Sequence, residues 1–191
     1  MEPPDGRALT FATLAGFESR EKGALLLIEA MRLLDTPARE GRVRLLVHGH
    51  MDPRFRDLAA GVPGIEIGSY FHPEELDSIL DEVDVGLMPS IWEEAYGYAG
   101  VEFLAKGIPV IANAIGGMPD YTRDGETGWL NRSSSAEELA GIIEAILDRP
   151  EQVAELNARL IANRDSVVKP LARHADEMDA LYDELVGAVP G

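Results

Sequence analysis

The sequence predicts an α/β domain built on a doubly wound parallel sheet, and three observations carry that expectation. Strand-like and helix-like patterns alternate along most of the 191 residues. The strand-like runs are apolar, as in a sheet covered by helices on both faces. The glycine-bearing turns most suited to a ligand all fall at the ends of these runs, where such sheets bind ligands.

Taken in order, Leu9 to Ala15 is the first strand, and Lys22 begins a helix whose apolar face is Ala24, Leu27, Ala30, Met31 and Leu34. Val43 to Val47 is a strand, Pro53 to Ala60 a short helix, and Ile65 to Gly68 a third strand. A helix over Pro73 to Asp81 leads into the buried strand Val83 to Met88. Gly97 to Lys106 is a helix stopped by Gly107, with Pro109 just beyond. Ile108 to Asn113 and a short Thr127 to Leu130 complete the strands. Extra C-terminal helices close this Rossmann-like arrangement at Ser135 to Leu147, Pro150 to Asn163 and Lys169 to Val186.

The length fits one large domain, assigned here to residues 8–191, with residues 1–7, rich in Pro and Gly, as a linker remnant. A net charge of −17 makes nucleic acid and anionic lipid poor partners. No apolar run reaches membrane-spanning length, so no transmembrane segment is expected. The absence of cysteine excludes disulfides and thiolate zinc sites and fits a cytoplasmic location.

The run from Pro89 through Glu102 carries the most chemistry. Gly97 opens a helix and leaves the backbone N–H groups of residues 97 to 99 without a bulky guard. Those groups and the helix dipole favour an anion, most simply a phosphate. Glu102 lies about one turn further on, where a carboxylate can accept paired hydroxyls such as those of a ribose. Glu94 sits on the loop leaving the strand, within reach of a sugar ring. Near the start, Gly16 to Gly23 forms a strand-to-helix turn in which the Lys22 ammonium can neutralise a diphosphate.

The block Pro89-Ser90-x-x-x-Glu94-x-Tyr96-Gly97-x-x-x-x-Glu102, followed by Gly107-x-Pro109-Val110, resembles the donor signature of retaining glycosyltransferases of family 4, which have the GT-B fold. The resemblance runs from about Leu9 to about Leu185 and maps to the C-terminal, donor-binding half. It implies that Glu94 holds the transferred sugar, Glu102 the ribose and Lys22 the diphosphate, with Lys22 and Glu94 as the catalytic pair. Gly16, Arg20, Tyr96, Gly97, Tyr98 and Ala99 join them as donor-binding residues. The family places arginine where this chain has Phe17, so one of two expected cations is missing from its usual position. Gly116-Gly117-Met118-Pro119-Asp120 resembles a further glycine-rich family segment. Gly116, Gly117 and Tyr70 are assigned to the cleft lining, and His48 and His50 to a structural or cleft-wall role.

The resemblance implies a nucleotide-sugar donor and a partner, the N-terminal acceptor domain, in cis or on another chain. No cofactor and no metal are expected: His48 and His50 lack a clear third ligand, and there is no Asp-x-Asp motif. Asn131-Arg132-Ser133 matches a glycosylation sequon, a three-residue match given no weight. Two other readings stay open. One is a non-catalytic binding or regulatory module, which Phe17 and the acidity favour. The other is half of a sugar-nucleotide epimerase, against which the Glu94–Glu102 spacing speaks.

Overall fold

A computed structural model describes residues 7–36 and 39–187. Residues 1–6, the bulk of the expected linker, lie outside the described residues. Arg7, read from sequence as the linker's end, is instead tied to the domain by a two-pronged ion pair with Asp84, at 2.6 and 2.7 Å.

Six parallel strands form one sheet. They are β1 (Leu9–Thr13), β2 (Val43–Val47), β3 (Ile65–Ile67), β4 (Val85–Met88), β5 (Val110–Asn113) and β6 (Gly128–Asn131), in spatial order β3-β2-β1-β4-β5-β6. The order reverses between β1 and β4, which leaves a crevice at their carboxyl ends. The helices are α1 (Ala24–Leu33), α2 (Pro53–Ala59), α3 (Leu76–Leu80), α4 (Tyr98–Lys106), α5 (Met118–Tyr121), α6 (Ala136–Asp148), α7 (Glu151–Ala162), α8 (Arg164–Val167) and α9 (Leu171–Gly187).

Side chains alternate along each strand between two cores. Phe11, Leu45, Val47, Val85, Leu87 and Ile111 face α1, α2 and α6. Ala12, Leu46, Met88, Val110 and Ala112 face the side that holds Phe103 and Leu104 of α4 and Met118 and Tyr121 of α5. This is the doubly wound sheet that the alternation predicts. Gly86 lets α4 settle closely on β4, since a Cβ there would stand 2.4 Å from the Phe103 ring.

Most element ends fall within two residues of the expectation, and four differences stand out. The helix expected from Lys22 begins at Ala24, because Gly23 takes φ +83° and its Cα faces Pro89, whose carbonyl oxygen would lie 2.2 Å from a Cβ. The Pro73 to Asp81 stretch opens as a 3₁₀ turn before α3. Pro150 to Asn163 ends at Ala162 and is followed by α8. The short α5 was not foreseen; it is a single turn opened by Gly117 with Pro119 in its first turn.

Candidate functional site

A cleft of about 560 Å³ lies at the carboxyl ends of β1 to β4, at the switch in strand order. Its size is that of a small-molecule site. Lys22 enters it from the loop after β1, Glu94 from the loop after β4, and Glu102 from α4. The same cleft takes in Tyr96, Gly97, Tyr98, Ala99 and Tyr70.

The β1 loop is shaped by close backbone approach. Gly16 takes φ +65°, and a Cβ there would lie 2.0 Å from the His50 carbonyl oxygen, so the loops after β1 and β2 are locked together. Gly16 therefore builds the cleft floor rather than lining it. Phe17 is fully buried and bridges to Met51, so position 17 points into the core and not towards the cleft. Arg20 lies on a separate groove beside Ile91 and Ser135, outside the cleft. Lys22 is thus the cation that the β1 loop delivers to the cleft.

Glu94 is clamped from several sides. Its Oε1 accepts from Lys22 Nζ at 2.5 Å and lies 3.2 Å from the Ser90 hydroxyl. Its carbonyl accepts from the Gly117 N–H at 2.9 Å. A Cβ on Gly116 would lie 2.4 Å from that carbonyl oxygen, and one on Gly117 2.2 Å from the carbonyl oxygen of Ala95. The two glycines accordingly admit the protein's own 93–96 loop and stand behind the cleft wall. Glu94 Oε2 has no protein partner among the described residues.

At the start of α4, Gly97 takes φ +71° as the N-cap. The N–H groups of Gly97, Tyr98 and Ala99 have no acceptor among the described residues. Beneath them lies Tyr121, whose hydroxyl donates to the Gly97 carbonyl at 3.4 Å and would stand 2.4 Å from a Cβ on Gly100. Burial, helped by the nearby Glu94 carboxylate, pushes the Tyr121 phenol well above its ordinary range, so it stays protonated. Glu102 is solvent-exposed on one side, yet desolvation against the helix raises its carboxyl above the ordinary value.

On the far wall, His50 rather than His48 lines the cleft, with its ring 5.0 Å from that of Tyr70. His48 shares the face of Leu46, packs over Gly68 and Phe71, and opens on a separate groove with Arg44 and Glu66. Sequence reasoning gave Ser90 no role of its own and left out Glu18; both line the cleft. Asn131 of the sequon is fully buried and donates to Asn113 and the Ser135 carbonyl. Among the described residues no group of three or more acidic or histidine side chains is placed to hold a metal, and no helix is long and apolar enough to cross a membrane.

The chain matches the family model described as Glycosyl transferases group 1 over residues 8–149. The D-inositol 3-phosphate glycosyltransferase of Geodermatophilus obscurus is 32% identical over 185 residues, which cover 87% of this chain and 40% of that protein. The enzyme of the same name from Corynebacterium aurimucosum is 41% identical over 76 residues, 40% of this chain and 18% of that one. The chain spans less than half the length of these relatives. Among solved structures, sucrose-phosphate synthase from Thermosynechococcus elongatus superposes with a TM-score of 0.77 at 25% identity, covering 95% of this chain and 46% of its own. Anabaena HepE, solved with UDP-glucose, gives a TM-score of 0.77 at 17% identity, covering 92% and 49%, and shares the fold. The chain belongs to the group 1 glycosyl transferases, as a domain of GT-B fold.

Proposed function

Starting from this family membership, we propose that the chain is the donor-binding half of a retaining glycosyltransferase of family 4. It takes a nucleoside-diphosphate sugar and works with an acceptor domain, in cis or on a partner chain, in the cytoplasm. The observation that carries the reading is the convergence, in one cleft, of Lys22, the unpaired N–H groups of residues 97 to 99, and two carboxylates.

Each group has a task that its chemistry suits. The Lys22 ammonium has three N–H donors, of which one is on Glu94 Oε1, so it can still reach a diphosphate. The α4 amides and helix dipole meet the same charge. As the sugar leaves, charge grows on the diphosphate, and these groups stabilise it most in that state. Glu94 Oε2 is the acceptor available to sugar hydroxyls, and Glu102 accepts from the ribose. By its likeness to the family, the acceptor attacks from the leaving-group face, with a donor phosphate oxygen taking its proton. The chemistry assigned here uses no metal and no cofactor. That HepE was solved with UDP-glucose favours a uridine nucleotide as the first donor to try.

Calorimetric titration of the chain with UDP, GDP, ADP and dTDP, beside Lys22→Ala and Glu102→Ala, tests the reading. Binding of one nucleotide that weakens in both variants is expected. Binding that neither variant alters removes the assignment of this cleft.

A further inference from the structure

We propose that Ser90 is a positioning residue for the sugar: its buried hydroxyl, 3.2 Å from Glu94 Oε1, holds that carboxylate so that Oε2 is left for the donor's hydroxyls. The inference rests on the reading of the cleft given above.

Ser90 is only 4% exposed. Its oxygen lies 3.1 Å from the Glu21 carbonyl and 3.3 Å from that of Trp92, and accepts the Trp92 N–H at 3.3 Å. A hydroxyl has one proton, and of the three acceptors in reach only Glu94 is charged, which makes that bond the strongest on offer. The serine itself is immobilised from below. Asn113, 2% exposed, donates through Nδ2 to both the Pro89 and Ser90 carbonyls, at 2.9 and 3.0 Å. The Asn113 side-chain oxygen is in turn fixed by Asn131 Nδ2 at 2.8 Å. The Ile91 N–H donates to the Glu21 carbonyl at 2.8 Å, which ties the Glu94 loop to the residue before Lys22.

Lys22 and Ser90 thus meet the same oxygen from two directions, on two loops joined at Glu21 and Ile91. That arrangement fixes the orientation of the carboxylate plane, which a single flexible lysine does not. Ser90 touches no substrate in this account; it acts through Glu94.

The test compares free UDP, GDP, ADP and dTDP with their glucose conjugates by calorimetry. The proteins are the full chain, Ser90→Ala, Ser90→Thr, Glu94→Gln and the double variant Ser90→Ala/Glu94→Gln. The wild type is expected to bind one glucose conjugate more tightly than its free diphosphate. Ser90→Ala keeps the affinity for the free diphosphate and loses about tenfold for the conjugate, the size of one hydrogen bond to a charged group. Ser90→Thr, which keeps the hydroxyl, regains most of that loss. In the Glu94→Gln background, Ser90→Ala has no further effect. A purely structural serine would weaken both ligands alike or add its loss to that of Glu94→Gln, and either result overturns the positioning role alone. Failure of the wild type to bind any of the eight ligands overturns the reading of the cleft and this role with it.

Discussion

The sheet carries a buried polar knot at each end of its strands, one beside β1 and β4 and the other across the ends of β4, β5 and β6, and the two knots have different partners. At the amino ends, Asp84 is 1% exposed, takes both prongs of Arg7 and accepts the Thr10 N–H at 2.8 Å. Its partners Arg7 and Thr10 lie at the start of β1, and it does not line the cleft that holds Glu94. At the carboxyl ends, Asn131, Asn113 and Ser90 form a chain of buried hydrogen bonds that ends on Glu94, a side chain in the cleft. Both knots satisfy buried polar groups, which is what any interior requires. Only the second delivers its last bond to a group that a ligand can reach. A sheet switch point thus separates stability at one end from positioning at the other.

The largest expected effect breaks the first knot. Asp84→Ala strands the Thr10 N–H and releases Arg7, which is half-exposed and regains water, so the cost is about 2–3 kcal/mol. Urea unfolding is expected to show that loss, with nucleotide affinity of the folded protein unchanged. Loss of affinity as well would break the division between the ends.

Asn113→Ala comes next, because it removes two donors from the Pro89 and Ser90 carbonyls and leaves Asn131 Nδ2 short of an acceptor. It is expected to cost about 2 kcal/mol of stability and also to weaken the sugar-nucleotide complex. Stability loss without a binding loss would make the second knot purely structural, like the first.

Lys22→Ala sharpens the contrast from the other side. The Lys22–Glu94 pair is partly exposed and contributes at most about 1 kcal/mol to folding. The variant is expected to melt close to wild type while its diphosphate affinity falls about tenfold or more, by calorimetry. An unchanged affinity contradicts the role given to this lysine.

The smallest effect is a pH dependence. Burial raises the Glu102 carboxyl, so the folded chain holds this proton more tightly than the unfolded chain does. Its contribution to stability is therefore fully present below the ordinary glutamate value and is lost as pH rises through the elevated one. Affinity for a ribose moves oppositely, since the ionised form accepts the hydroxyls. Nucleotide binding is expected to weaken on acidification at a higher pH than an ordinary glutamate would give, and Glu102→Gln to flatten that limb.

Much of the sheet is visible in the sequence because apolar strands such as Val43 to Val47 need no tertiary information to be recognised. That Lys22, Glu94 and Glu102 share one cleft is equally legible, since the first two lie on loops leaving strands and the third about one turn into a helix opened by glycine. Other positions depend on what approaches them. Gly16, Gly116 and Gly117 look alike as turn glycines, and only the fold shows that they admit the chain's own backbone. Phe17 reads as a lost cation until its side chain is seen in the core. His48 and His50 are separated only by Gly49, yet they open on different grooves, a difference that strand alternation does not foretell. Ser90 appears in the sequence only as part of the Pro89-Ser90 signature, and neither it nor Asn113 or Asn131 signals a role of its own, because a polar residue at a strand end is ordinary in any α/β chain. Their meaning lies in the bonds that join them.

The most direct measurement is amide hydrogen exchange with and without the tightest-binding glucose conjugate. Slowed exchange at Gly97, Tyr98 and Ala99, whose N–H groups have no acceptor among the described residues, is the predicted result, with Ala8 to Thr10 and Asp84 unchanged. Protection that spares residues 97 to 99, or that appears instead at the Asp84 end, would contradict a diphosphate site at the start of α4.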